Sequence, residues 1–162
     1  VTLRGERVVL REATADDEPA LRAILLEPEV ARWWTTADEI LYPETTTWVI
    51  EVDGVTAGLI QAWEENEPEY RHAGIDLALA TAFQGQGLGP DAVRTVALHL
   101  VRDRGHHRLT IDPAADNERA IRAYERVGFR AVGVLRRYER LPDGTHRDGL
   151  LMDLLAEELL GD

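Results

Sequence analysis

At 162 residues and 44% hydrophobic content the chain is long enough for one domain with a real core. It carries 30 acidic against 18 basic residues, a net charge of −12. That balance argues against a nucleic-acid binder, which needs a basic footprint, and is compatible with a cationic partner or with a merely solvated acidic surface. Cys, Ser and Lys are absent, so disulfides, thiolate metal sites, Cys or Ser nucleophiles, Schiff bases and the Lys-bearing phosphate loop are all excluded. Direct transfer between two bound substrates is then the favoured chemistry. No segment approaches the apolar length that crosses a bilayer, and there is no signal-peptide core at the N-terminus. The expectation is a cytoplasmic protein without a membrane partner, monomeric or homodimeric.

In chain order, Val8 and Leu10 alternate with polar neighbours over residues 7–12 and predict a first strand. Thr14 and Asp17 form a capping-box-like pair, followed by a helix stripe of Leu21, Ile24 and Leu25. Pro28 ends that helix or opens a short second one, and a weaker helical pattern runs from Trp33 and Trp34 to Tyr42. Residues 46–52 and 55–63 read as a hairpin about Asp53-Gly54. An acidic loop, 64–71, leads to a strand over 73–80 with Ile75, Leu77 and Leu79 on one face. A Gly-rich loop opens a helix through Val93, Val96, Ala97, Leu100 and Val101, and residues 108–112 form a short strand ended by Pro113. Residues 117–127 form a helix with Gly128 as its cap, and 129–138 and 149–155 form a second hairpin about Asp143-Gly144. The order predicts an α/β fold with a mixed, largely antiparallel sheet flanked by helices, in a single domain over 1–162. The strand-helix-strand unit over 73–112 is the part expected to be parallel.

The loop Gln84-Gly85-Gln86-Gly87-Leu88-Gly89 lies between a strand and a helix. Three alternating glycines expose backbone N–H groups at the positive end of the helix dipole, a site suited to a phosphate or pyrophosphate. The alternative is a loop with glycines for turn geometry alone. The spacing does not fit the dinucleotide fingerprint. Asp76 stands inside an otherwise apolar strand, where an acid is disfavoured without a purpose. It is an acceptor-site carboxylate, an outward-facing strand acid, or the partner of an arginine such as Arg71. Asp112 is either a second site carboxylate or a turn-forming Asp-Pro. The histidines at 72, 99, 106, 107 and 146 show no metal-ligand spacing, His106-His107 reads as surface, and no metal is expected.

The same glycine loop resembles the Q/R-x-x-G-x-G/A loop of the GNAT N-acetyltransferase superfamily. The stretch from Asp116 through Asn117, Ala120 and Tyr124 to Gly128-Phe129 is similar to that superfamily's second signature. Trp33-Trp34, Gly74-Ile75-Asp76 and Asp112-Pro113 resemble the branch of aminoglycoside 6′-N-acetyltransferases. The resemblance covers nearly the whole chain. It implies a splayed sheet with acetyl-CoA wedged between the fourth and fifth strands, its pyrophosphate on residues 84–89. Backbone groups near Leu77, Ala78 and Leu79 would bond the pantetheine arm, Ala120 and Tyr124 would also contact the cofactor, and Asn117 would bond the pantetheine, cap the helix, or do both. It further implies Tyr124 as general acid, Asp76 and Asp112 as the acceptor carboxylates with Asp76 relaying the proton, and Trp33 or Trp34 as an acceptor-site wall. A carboxylate suits that task, because an ammonium must be bound and deprotonated before it attacks a thioester. Two positions depart from the pattern: Gln86 stands where Lys or Arg is frequent, and Pro90 where Thr is. The leading expectation is acetyl transfer to a small cationic amine of aminoglycoside type. A protein N-terminus, a polyamine or another small amine are alternative acceptors, and a non-catalytic acyl-CoA-binding module is the alternative of another class.

Overall fold

In the computed structural model, which describes residues 1–160, the chain builds one eight-stranded sheet. The last two positions of the expected 1–162 domain lie outside those residues. A two-residue strand β1 (Leu3–Arg4), unmarked by any alternation, precedes β2 (Val9–Glu12). The Thr14 and Asp17 pair caps a 3₁₀ turn, Ala15–Asp17, with the Thr14 N–H donating to Asp17 Oδ2 at 2.8 Å. That turn feeds α1 (Glu18–Leu25), whose buried residues are the predicted Leu21, Ile24 and Leu25. Pro28 opens α2 (Pro28–Ala31). The helical pattern expected onward to Tyr42 does not form. Residues 35–44 form no regular helix; Ile40 packs in the α1 layer, and Arg22 Nε ties the segment by donating to the Ala37 carbonyl at 2.9 Å.

The hairpin β3 (Thr45–Val52) and β4 (Val55–Glu65) turns at Asp53-Gly54 as read, and β4 runs two residues further than expected. Next come β5 (His72–Leu79), α3 (Leu88–Leu98) with a π-helical continuation over His99–Asp103, and β6 (Arg108–Ile111). The chain ends with α4 (Glu118–Val127), the hairpin β7 (Arg130–Arg140) and β8 (His146–Leu155), and a short α5 (Ala156–Leu160) that the sequence pattern did not signal. The sheet order is β1-β2-β3-β4-β5-β6-β8-β7, antiparallel except where β5 meets β6, as the strand-helix-strand reading required.

Two apolar layers cover the sheet. Ile75, Leu109, Met152 and Leu154 pack with Val93, Val96 and Ala97 of α3 and with Tyr124 and Val127 of α4. On the other face Leu21, Ile24 and Leu25 of α1 meet Val49, Leu59 and Ala78. Each fully buried aliphatic side chain contributes about 1.5–3 kcal/mol. Period-two alternation along β5 thus sends Ile75, Leu77 and Leu79 to the first layer and leaves Asp76 and Ala78 on the second face.

Candidate active site

The cleft exists because β5 and β6 part company. Ala73 and Gly74 pair with Leu109 and Thr110, and there the ladder stops. β5 continues to Leu79 on β4, while Pro113 ends β6. The chain past Pro113 swings onto β8: Leu150 donates its N–H to the Pro113 carbonyl at 2.8 Å, and Ala115 to the Asp148 carbonyl at 2.9 Å. On β5 the Ala80 N–H donates to the Ala57 carbonyl of β4 at 2.8 Å. The Leu79 carbonyl instead faces the gap, where it accepts from Gln84 Nε2 at 3.0 Å. Strand alternation therefore turns the N–H groups of Leu77 and Leu79 into the gap and that of Ala78 onto β4.

A cleft of about 670 Å³ fills this gap. One wall is Leu77, Ala78 and Leu79; facing it are Asn117, Ala120 and Tyr124 of α4. The Asn117 side chain caps α4 by accepting from the Ala120 N–H at 3.3 Å, a contact of about 1 kcal/mol in typical helices. At the entrance, Gln84, Gly85, Gly87, Leu88 and Gly89 form the loop side. Gly85 and Gly87 have φ of +76° and +79°, and nothing stands within 4 Å of where a Cβ would be. This left-handed, open backbone leads straight into α3, which begins at Leu88, with Pro90 as its third residue. Gln86 is turned aside: its Nε2 donates to the Ala82 carbonyl at 3.0 Å, and it does not line the cleft.

Other cations face the entrance instead. Arg119, Arg122 and Arg126 line the cleft from α4, and Arg119 donates to Gln84 Oε1 at 2.9 Å. Glu118 lines the same wall and pairs with Arg122 at 3.8 Å, so Arg119 and Arg126 are the cations there that suit an anionic ligand in a chain of charge −12. Asp91 in the first turn of α3 is already engaged. It accepts from the N–H groups of Glu6, Arg7 and Val8 at 3.0, 2.8 and 3.0 Å, which anchors the β1–β2 turn.

Asp76 and Asp112 lie near enough to one another and to Tyr124 for their charges to act on each other and on the phenol. Enclosure by the sheet, then the charge of Asp112, then that of Glu139, push the Asp76 carboxyl up to about 7. The residue as a whole nevertheless remains exposed to solvent. Asp112 is also raised by burial, against a hydrogen bond from the Tyr138 hydroxyl that favours its charged form. Burial and the charges of Asp76 and Asp112 raise Tyr124 far above the ordinary phenol range, so it stays protonated. Among the described residues neither Asp76 nor Asp112 has a cationic partner. Arg71, the partner offered by the sequence, donates to the carbonyls of Gly105 and Arg104 at 3.0 and 2.6 Å.

Trp33 and Trp34 both line the cleft. Trp34 also packs on the α1 layer, and the guanidiniums of Arg32 and Arg147 lie over the Trp33 ring, 4.8 and 5.3 Å from its centroid. Three neighbours of Asp76 and Asp112 were missed by sequence reading. Tyr138 donates to Asp112; Glu139 holds Arg147 Nε at 2.7 Å; and Trp63 lies over Gly74, one strand from Asp76. Only Trp63 left a signal, as an aromatic on the strand that pairs with Asp76's own. His106, read as surface, is 1% exposed, with Nε2 2.7 Å from Glu64 Oε1. Its partner comes from β4, which no local pattern reveals. Among the described residues no three His, Cys, Asp or Glu side chains group as metal ligands, and no helix is long and apolar enough to cross a membrane.

Residues 8–129 match the acetyltransferase (GNAT) family. An aminoglycoside N(6′)-acetyltransferase type 1 of Klebsiella pneumoniae is 31% identical over 89% of this chain and 82% of its own length. A spermidine N(1)-acetyltransferase of Escherichia coli K12 is 27% identical over 70% of this chain and 60% of its own. Among solved structures, AAC(6′)-Ib in complex with paromomycin and acetyl-CoA superposes with a TM-score of 0.78 at 25% identity, covering 96% of this chain and 97% of that one. The chain belongs to the GNAT acetyltransferase family.

Proposed function

We propose that the protein transfers an acetyl group from acetyl-CoA directly to a primary amine of a small polycation, with an aminoglycoside-like aminosugar as the substrate class. The observation that carries this is the pair Asp76 and Asp112: two carboxylates without an internal cation, acting on Tyr124, which lines a cleft whose glycine loop suits an anion. The relative at 31% identity and the aminoglycoside-bound neighbour support the substrate class.

The residues present fit acetyl-CoA. The open backbone of Gly85 and Gly87 and the arginines of α4 suit its phosphates, and the free N–H groups of Leu77 and Leu79 suit a pantetheine arm lying as an extra strand. Bound there, acetyl-CoA supplies the activated acetyl thioester. Asp76 and Asp112 attract and orient the acceptor ammonium. Asp76, with its carboxyl near neutrality, accepts the proton that must leave nitrogen before it attacks. One of the gap-facing N–H groups of β5, Leu79 being the candidate, would be left to meet negative charge developing on the carbonyl oxygen, with the other holding the arm. Tyr124 holds its proton on Oη, available to the departing sulfur.

The test is acetyl-CoA turnover, read as free thiol release, against aminoglycosides, polyamines and N-terminal peptides. Turnover on an aminoglycoside with a kcat/KM well above that of the other amines is expected. Preference for a peptide N-terminus or a monoamine would move the substrate class elsewhere, and no turnover with retained acetyl-CoA binding would favour a non-catalytic acyl-CoA module.

A further inference from the structure

The hairpin β7–β8 breaks register beside the acceptor carboxylates. Leu135 pairs with Gly149 and Glu139 with Arg147, so Arg136, Arg137 and Tyr138 stand opposite Asp148 alone. The bulge holds Arg137 at φ +50°, a left-handed backbone that a branched-chain or long side chain rarely adopts. Asp148 fixes it by accepting the Arg137 N–H at 2.8 Å. Strain of this kind persists only where surrounding contacts enforce it.

What the bulge achieves is visible in the next two side chains. Tyr138 is laid across Gly149, where a Cβ would fall 2.8 Å from the ring's Cδ2, and its hydroxyl donates to Asp112 Oδ2. Glu139 turns to Arg147 and also accepts from Thr35 Oγ1 at 3.2 Å. Arg147 then donates to the carbonyls of Arg32 and Trp33 at 2.9 and 3.1 Å. Glu139 therefore has a cation, whereas Asp112 has a neutral donor that leaves its full charge available.

We propose that Tyr138 is a positioning residue: its hydroxyl fixes the Asp112 carboxylate as the ammonium anchor and so directs the proton of the carboxylate pair to Asp76. This rests on the acetyl-transfer reading above and assigns the two aspartates different tasks within it. Without the phenol the two acids would compete for the same proton, and their titrations would belong to the pair and not to either residue. The groups facing Asp112 are Asp76 from β5, Tyr124 from α4, and Tyr138 and Glu139 from β7, with Arg147 of β8 engaged by Glu139. Tyr138 in turn is pushed up to about 12 by its bond to Asp112 and by burial, so it remains a donor through the working range.

The test uses the whole protein labelled with ¹³C at aspartate carboxyls, followed by NMR against pH with no acceptor present. In the wild type Asp112 titrates below Asp76. In Tyr138→Phe the Asp112 midpoint rises by about one pH unit, the usual worth of a hydrogen bond to a charged group, and the Asp76 midpoint falls. Gly149→Ala keeps the phenol but displaces its ring, and it shifts Asp112 in the same direction by less. Arg137→Gly relieves the left-handed backbone while keeping Tyr138, and both midpoints stay where they were. An Asp112 midpoint unchanged in both Tyr138→Phe and Gly149→Ala overturns the proposal. Because the titration needs no substrate, a failure to find an accepted amine bears on the acetyl-transfer reading alone. With an accepted amine, Tyr138→Phe raises KM below neutral pH while kcat at high pH is retained.

Discussion

Glu64 and Asp76 lie on the paired strands β4 and β5 and meet opposite fates. Glu64 accepts from Arg104 Nε and Nη2 at 3.1 Å each and lies 2.7 Å from His106, and these contacts, Arg104 first, hold it below the ordinary carboxylate range despite its partial burial. Asp76 receives nothing of the kind and is driven upward. The chain was not short of cations. Arg11 serves Asp17 and Glu51, Arg108 serves Asp153, and Arg147 serves Glu139. Several acids of the fold are paired from within, whereas Asp76 and Asp112 have no internal cation among the described residues, and on the function proposed above they are left for a cation from outside. An unpaired acid held in the sheet costs stability, and it persists where the site uses it.

Exchanging the two acids in turn separates these roles most widely. Asp76→Asn lowers kcat by roughly 10²–10⁴-fold, the usual worth of a general base, while Glu64→Gln leaves kcat near the wild-type value. Steady-state thiol release on an accepted amine measures both. Tyr124→Phe, which keeps the ring beside Phe129, lowers kcat over a similar range of about 10²–10⁴-fold. Calorimetry should find its acetyl-CoA affinity nearly unchanged if the phenol serves the leaving group, as proposed above, and not binding.

Asp112→Asn has the next largest effect, an acceptor KM raised about tenfold at low ionic strength, as expected for losing one charge from a partly desolvated ion pair. Added salt should narrow the gap between variant and wild type, since fewer charges remain to be screened.

The smallest effects concern stability, and there the two acids respond to pH in opposite directions. Folded Asp76 keeps a proton that the unfolded chain releases near pH 4, so its presence costs stability progressively from about pH 4 to about 7 and fully above that. Asp76→Asn therefore melts higher than wild type at pH 8 and no higher at pH 4. Glu64 contributes above its unfolded value and loses that contribution as pH falls through its lowered folded value. Glu64→Gln is destabilised by about 1–2 kcal/mol at pH 7, a charged hydrogen bond discounted for the exposure of Arg104, and the deficit closes in acid. Thermal melts at three pH values read both.

Much of this was legible in the residues. The glycine loop, the Asn117 cap, the Asp53-Gly54 turn and the apolar stripes are local signals, and Pro113 marks where β6 must end. Asp76 betrayed itself as an acid in an apolar strand. The parts that could not be read depend on partners distant in sequence. His106 was assigned to the surface because its burial depends on Glu64, 42 positions away. The bulge at Arg137 escaped because a register shift sets which side chains oppose each other, and β7 is exposed along most of its length, Val132 and Val134 included, so no buried face reveals the slip. Tyr138 and Glu139 thus looked like ordinary residues near a hairpin end. Residues 35–44 kept a weak helical pattern, yet Ile40 is buried in the α1 layer on the face of the sheet, where Gln61 Nε2 of β4 donates to its carbonyl at 2.7 Å and Arg22 donates to that of Ala37.

The pH dependence of kcat/KM on an accepted amine, for wild type and Asp76→Asn side by side, tests the division of labour among these acids most directly. The wild type should rise with an ascending limb centred near pH 7, the value to which the Asp76 carboxyl is driven, and Asp76→Asn should be slow and lack that limb. An identical limb and an undiminished rate in Asp76→Asn would mean that the unpaired carboxylate neither takes the proton nor governs the reaction.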